Sequence, residues 1–209
     1  MQSGVHGPDM VRESTLAAGG VVAAMGVVSA IAYPEMPERM VTHWNAAGEP
    51  NGSMGRTLGL VALPAITAAT VALLQALPGV DPRDGIQQFR AAYDAFVVLL
   101  ALFLGYVHVL VVAVNAGYSV SVSTAVLPAV GILVYGAGVA LDRAEQNWFL
   151  GIRTPWTLES EEVWERTNRL GARLFRVAGV VTALGVFAGE WAVYFAVGPV
   201  AVTAVVTTL

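Results

Sequence analysis

Four runs of about twenty residues each, at 14–33, 57–77, 95–116 and 120–141, contain no formal charge. They constrain this chain more than anything else in it. A helix rises 1.5 Å per residue, so about 20 apolar residues cross a hydrocarbon layer about 30 Å thick. An aqueous core of a 209-residue chain has no room for four such blocks. The composition agrees: 12% of residues are charged and mean hydropathy is +0.65, where soluble domains carry about twice that charge.

Two further spans are shorter. The uncharged stretch 177–189 reaches membrane length only with the turn before it, where Arg173 and Arg176 can snorkel to the headgroups, giving a span at 170–189. The last runs over 191–209. A single helix from 177 to 209 would be about 50 Å long, so a turn near Gly189 and Glu190 is expected. The expected fold is therefore all-α: one integral membrane domain over 1–209, a bundle of six transmembrane helices, with a short cytoplasmic helix before the fifth. Ala30-Ile31-Ala32 has the look of a signal-peptidase site. The residues Asp9, Arg12 and Glu13 do not form a positive leader, so the first helix is expected to be retained. Gly19, Ala23, Gly131, Gly136 and Gly138 are expected at close helix contacts, and Pro64, Pro128 and Pro199 within helices.

The distribution of arginine sets orientation, because loops rich in basic residues stay cytoplasmic. With the N-terminus inside, Arg12, Arg83, Arg90, Arg143, Arg153, Arg166, Arg169, Arg173 and Arg176 are cytoplasmic, and only Arg39 and Arg56 are outside. Both termini are then expected in the cytoplasm, with the protein in the plasma membrane. A net charge of -4 and the lack of a dense basic stretch argue against nucleic acid as a partner. The absence of cysteine removes thiolate chemistry. No nucleophile elbow, phosphate loop, His-Glu-x-x-His helix or acid-base carboxylate pair occurs, so neither catalysis nor a metal or cofactor is expected.

Two polar segments exceed what a connection needs. The outer loop, 34–56, is rich in proline and holds Asn51-Gly52, which favours a compact turn-rich loop; His43, Asn45 and Glu49 can hold a structural hydrogen-bond network or meet a ligand. The inner loop, 142–169, contains Arg153 between Gly151 and Pro155, where a held guanidinium suits recognition. Ser160 can cap a helix that opens with Glu161 and Glu162. Arg166, Arg169, Arg173 and Arg176 then fall on one face, read either as a basic stripe or as partners of Glu162 and Glu165 in i,i+4 pairs. Trp148, Trp156 and Trp164 read as interface anchors. Within the spans, His108 is the one histidine, with Asn115 on its face and Asp94 at the cytoplasmic end of the same helix.

The segments Pro37-Glu38-Arg39-Met40-Val41-Thr42-His43-Trp44-Asn45-Ala46-Ala47-Gly48-Glu49-Pro50-Asn51-Gly52 and Asn147-Trp148-Phe149-Leu150-Gly151-Ile152-Arg153-Thr154-Pro155-Trp156-Thr157-Leu158, followed by Val163-Trp164 and Thr167-Asn168-Arg169-Leu170-Gly171, resemble the SdpI family of bacterial immunity membrane proteins with its N-terminal domain of unknown function. The resemblance implies protection against a secreted peptide toxin, and signalling by holding a cytoplasmic repressor at the membrane. It places ligand or partner contacts at His43, Asn45, Gly48, Arg153, Thr154, Pro155, Trp156, Trp164 and Arg169. Membrane lipid is the remaining partner. The alternatives from other classes are a small-solute or ion transporter that uses His108 and Asp94, and an envelope-stress protein without a ligand.

Overall fold

The computed structural model describes residues 8–45 and 47–208. In chain order the elements are α1 (Pro8–Ala32), β1 (Arg39–Trp44), β2 (Pro50–Gly55), α2 (Arg56–Ala76), α3 (Gly85–Gln88), α4 (Arg90–Asn115), α5 (Val122–Leu141), α6 (Pro155–Glu159), α7 (Glu161–Leu184) and α8 (Ala192–Thr208). Five helical stretches are long and apolar enough to cross a bilayer: Arg12–Glu35, Arg56–Gly79, Arg90–Asn115, Val122–Leu141 and Glu161–Phe187. Ala192–Thr207 is a shorter apolar helix. Their outward faces carry Leu16, Ile31, Leu58, Ile66, Leu102, Ile132 and Val197, all more than half exposed. That is the inside-out surface of a chain whose solvent is lipid. This is a multi-pass helical membrane protein.

The bundle is built from two triplets. α1, α2 and α4 pack together, as do α5, α7 and α8, and α4 against α5 joins them. In the first triplet, Ala18, Met25 and Ser29 are buried along one stripe of α1, and Gly105 of α4 gives room to Val21 and Met25. In the second, helices approach to backbone contact: a Cβ on Gly131 would lie 2.6 Å from the Gly179 carbonyl oxygen, and one on Gly138 2.8 Å from that of Ala172. Small residues at such crossings replace the hydrophobic effect, which is absent between helices in lipid. Gly19 and Ala23, expected at similar contacts, are exposed instead. The contact stripe of α1 runs through Ala18, one position away from Gly19. Pro64, Pro128 and Pro199 all lie inside helices.

Three local features depart from the sequence reading. The outer loop folds into a β-hairpin, with Arg39 opposite Gly55, Met40 opposite Met54 and an irregular register around His43. The Asn51-Gly52 pair sits within β2 and not at the turn, which Asn45–Glu49 makes. Finally, the helix capped by Ser160 does not stop before the fifth span. α7 is continuous because one buried stripe, Trp164, Asn168, Gly171, Ala172, Ala178, Gly179 and Thr182, runs its length. The Ser160 hydroxyl accepts from the Val163 amide at 3.3 Å, as a cap should. The predicted turn between the last two helices is formed by 3-10 segments Gly185–Phe187 and Gly189–Trp191, with Gly189 at φ 58°, and Thr182 Oγ1 donates across it to the Phe195 carbonyl. Leu209, the end of the sixth predicted span, lies outside the described residues.

The hairpin and the long inner loop stand at opposite ends of the bundle. At one end the hairpin meets the end of α4 through Asn115 and the start of α5 through Ser123. At the other, residues 77–89 meet 142–160, and Thr207 of α8 reaches Gly171.

Candidate functional site

The densest polar construction in the molecule is the platform at the arginine-rich end. Asn147 is fully buried and uses its whole amide: Nδ2 donates to the carbonyls of Glu145 and Leu150 at 2.8 and 2.9 Å, and Oδ1 accepts from the amides of Phe149 and Leu150 at 2.8 and 2.7 Å. Asn168 repeats the device from α7. It accepts from the Ile152 amide at 2.7 Å and donates to the Trp164 carbonyl. Trp164 Nε1 donates to the Ala144 carbonyl at 2.9 Å. Thr154 and Thr157 form a reciprocal cap of α6, and the Thr157 hydroxyl also reaches the Ile152 carbonyl. Gly151 has φ 111°, and a Cβ there would lie 2.8 Å from both Asn168 Oδ1 and Trp164. Each buried polar group thus holds loop backbone that would otherwise have no partner.

This platform is tied to the first triplet. Asp81, 5% exposed, accepts from the Trp148 amide at 3.2 Å and from its own turn at Arg83 and Ile86. Arg83 donates to the Leu158 carbonyl at 3.1 Å. Gly85 lies so close to Gln146 and Asn147 that a side chain there would strike them.

What the scaffold displays is aromatic and cationic. Trp148 is 52% exposed, Trp156 50% and Phe149 37%, with exposed Arg153 among them in sequence. Arg153 was expected to have a held guanidinium. The backbone on both sides is held, through Ile152 and Thr154, while no hydrogen bond or ion pair among the described residues fixes the guanidinium itself. Pro155 opens α6 beside it and is exposed. Trp164 is neither an anchor nor a contact surface, being 2% exposed in the protein interior. Arg169 pairs with Glu165, and Arg166 with Glu162 at 2.6 Å, so the i,i+4 reading of the basic stripe holds for those two; Arg176 reaches Asp142 at 3.4 Å. Arg173 is exposed.

At the other end the hairpin is docked by Asn115, whose Oδ1 accepts from the Val41 amide at 2.7 Å and whose Nδ2 donates to the Val41 carbonyl at 2.8 Å. The side-chain amide so completes the strand edge as a neighbouring strand would. Met40 is fully buried against Gly59, Leu60 and Met36. Asn45 closes the turn by accepting from the amides of Ala47 and Glu49 and donating to the Glu49 carboxylate. Gly48, at φ 81°, brings the tip onto Ser123. Asn45 and Gly48 thus shape the loop, whereas His43 is exposed, with Nδ1 2.5 Å from Asn51 Oδ1.

The intramembrane polar residues fall in two separate places. His108 is fully buried, with Nε2 2.9 Å from the Ser29 hydroxyl, which donates to the Leu60 carbonyl. Asp94 pairs with Arg90 at 2.8 Å, and Arg90 also donates to Gln75. About 21 Å of α4 separates Asp94 from His108, and the buried positions between them are Val97, Ala101 and Gly105. Among the described residues no group of three or more His, Cys, Asp or Glu is placed to hold a metal ion.

Residues 143–209, which contain the platform and the second triplet's last two helices, match the SdpI/YfhL protein family. Over its last third the chain is thus similar to the SdpI family. Residues 20–68, spanning the hairpin and its flanking helices, match a domain of unknown function, DUF1648. Over 191 residues the chain is 26% identical to the immunity protein SdpI of Bacillus subtilis (strain 168), covering 90% of this chain and 89% of that one. No solved structure matches.

The sequence missed Asp81 and Asn147 as organising residues. Both are short polar side chains beside turn formers, Asp81 before Pro82 and Asn147 five residues after Asp142 closes α5. Only the fold shows that the turn at 81 meets the loop at 148.

Proposed function

We propose that this chain is a membrane immunity protein of the SdpI kind, protecting its cell against a secreted toxic peptide. In this reading it has no catalytic activity. The plasma membrane holds it with the arginine-rich end and both termini in the cytoplasm. The hairpin end meets the toxin. The platform displaying Arg153 and Trp156 captures a cytoplasmic partner, a repressor held at the membrane. The observation that carries the reading is likeness to the immunity protein SdpI along nine-tenths of the chain. The geometry supports the division of labour, since the two most organised polar regions stand at opposite ends and α4 runs from one to the other.

The test is survival of a peptide-sensitive strain expressing the chain or its Arg153→Ala variant, challenged with secreted peptides of the producing organism. Protection by the chain, and its loss in a variant that still inserts, is the expected result. No protection by either protein would overturn the reading.

A further inference from the structure

The α4–α5 seam that joins the two triplets is closed at its middle and open toward the hairpin. At the closed point Gly136 of α5 receives the tip of the Leu99 side chain of α4, which any side chain at 136 would push aside. Toward the hairpin the helices part, and α8, which packs on α5, leaves a cleft of about 460 Å³. Its walls are Phe103 and Val107 of α4, Val126 and Val130 of α5, and Val193 and Ala196 of α8; its polar groups, Thr42, His43, Asn45 and Ser123, gather at the hairpin lip beside Trp44.

We propose that this cleft is a lipid site, holding one acyl chain of a phospholipid from the leaflet on the hairpin side. Three features choose that occupant. The cleft runs from Phe103 to Val111 on α4 and from Val122 to Val130 on α5, eight helical steps on each wall and so about 12 Å. That is close to the depth of one leaflet, half of a hydrocarbon core of about 30 Å. The layout is amphipathic in the sense of a lipid, apolar along its length and polar only where a headgroup would lie. An extended peptide would bring backbone amides and carbonyls along a wall that offers them no partners, at a cost of several kcal/mol for each group left unpaired, and a 12 Å length of helix, about 10 Å across with its side chains, would need about twice the cleft's volume. An acyl chain brings none. The neutral lip, with no formally charged side chain lining it, implies that the apolar chain and not headgroup charge selects the ligand.

The chain has no cysteine, so the cleft can be filled after folding. The full chain, reconstituted in phosphatidylethanolamine and phosphatidylglycerol vesicles, is extracted in mild detergent and weighed by native mass spectrometry. One retained phospholipid per chain is expected. Alkylating Val126→Cys with a bulky lipid-soluble thiol reagent should lower that occupancy at least tenfold, with the labelling yield read in the same spectrum. The same label on Ile132→Cys, at an exposed position of the same helix, should leave it unchanged. Absence of retained lipid in the unlabelled chain would overturn the proposal, as would retention unaffected by label at 126 or equal loss from label at 132. A retained second copy in place of lipid would also overturn it. None of these outcomes depends on whether the protein confers immunity.

Discussion

Replacing Asn147 by alanine should loosen the platform without loosening the bundle. The side chain makes four hydrogen bonds to backbone, and each contributes about 1 kcal/mol net. Glu145 and Phe149 are exposed, so water can replace the bonds at their backbone groups. The two bonds to Leu150, a half-buried residue, have no such replacement. The expected loss is therefore about 2 kcal/mol, and it falls on a loop held mainly by such bonds, so it should appear as local opening. A change of 2 kcal/mol is about 30-fold in an opening equilibrium. Hydrogen exchange of the detergent-solubilised protein reads it directly: amides of Phe149, Leu150 and Ile152 should exchange about 30-fold faster, with α4 amides from Val97 to Val111 unaltered. Exchange within threefold of wild type at Leu150 would refute the claim that Asn147 organises the loop. Equal acceleration in α4 would refute its local character.

Asp81→Ala removes the acceptor that joins the first triplet to Trp148, leaving three backbone amides to find others. A loss of about 2–3 kcal/mol is expected, measured as a lowered melting temperature with Trp148 becoming more accessible to aqueous quencher. Gly136→Leu overpacks the seam against Leu99 and should cost about 1–3 kcal/mol; a melting temperature equal to wild type would show that the Leu99 side chain turns aside and that the seam is not closed there. Arg153→Ala should change stability by less than about 0.5 kcal/mol, because the guanidinium is exposed and no partner among the described residues holds it. Thermal unfolding in detergent checks this, and a marked drop would mean that the guanidinium supports the platform.

How much of this was legible depended on the length scale of the signal. The helical membrane fold was plain, because four uncharged runs admit few other structures, and the turn at Gly189 followed from the length a single helix would have needed. The Ser160 cap and the pairs of Glu162 with Arg166 and Glu165 with Arg169 were legible because they are local to one helix. The hairpin was not. Its strands are short, Met40 is the one buried residue of its strands, and its edge partner, Asn115, lies 74 residues away from Val41. Trp164 was misplaced for a related reason: amphipathic residues fit both the interface and a core, and what decides is the Ala144 carbonyl, 20 residues away, that receives its indole N–H. For Arg153 the stiffness of the neighbouring backbone was readable, but stiff backbone does not by itself fix a long side chain.

In the proposed function the hairpin and the platform work from opposite sides of one membrane, with the platform inside. Because the chain lacks cysteine, single substitutions Ser53→Cys and Trp156→Cys can be probed in intact cells with a membrane-impermeant maleimide. Position 53 should be labelled in intact cells and position 156 only after permeabilisation. Labelling of 156 in intact cells, or of both positions from the same side, would contradict that arrangement.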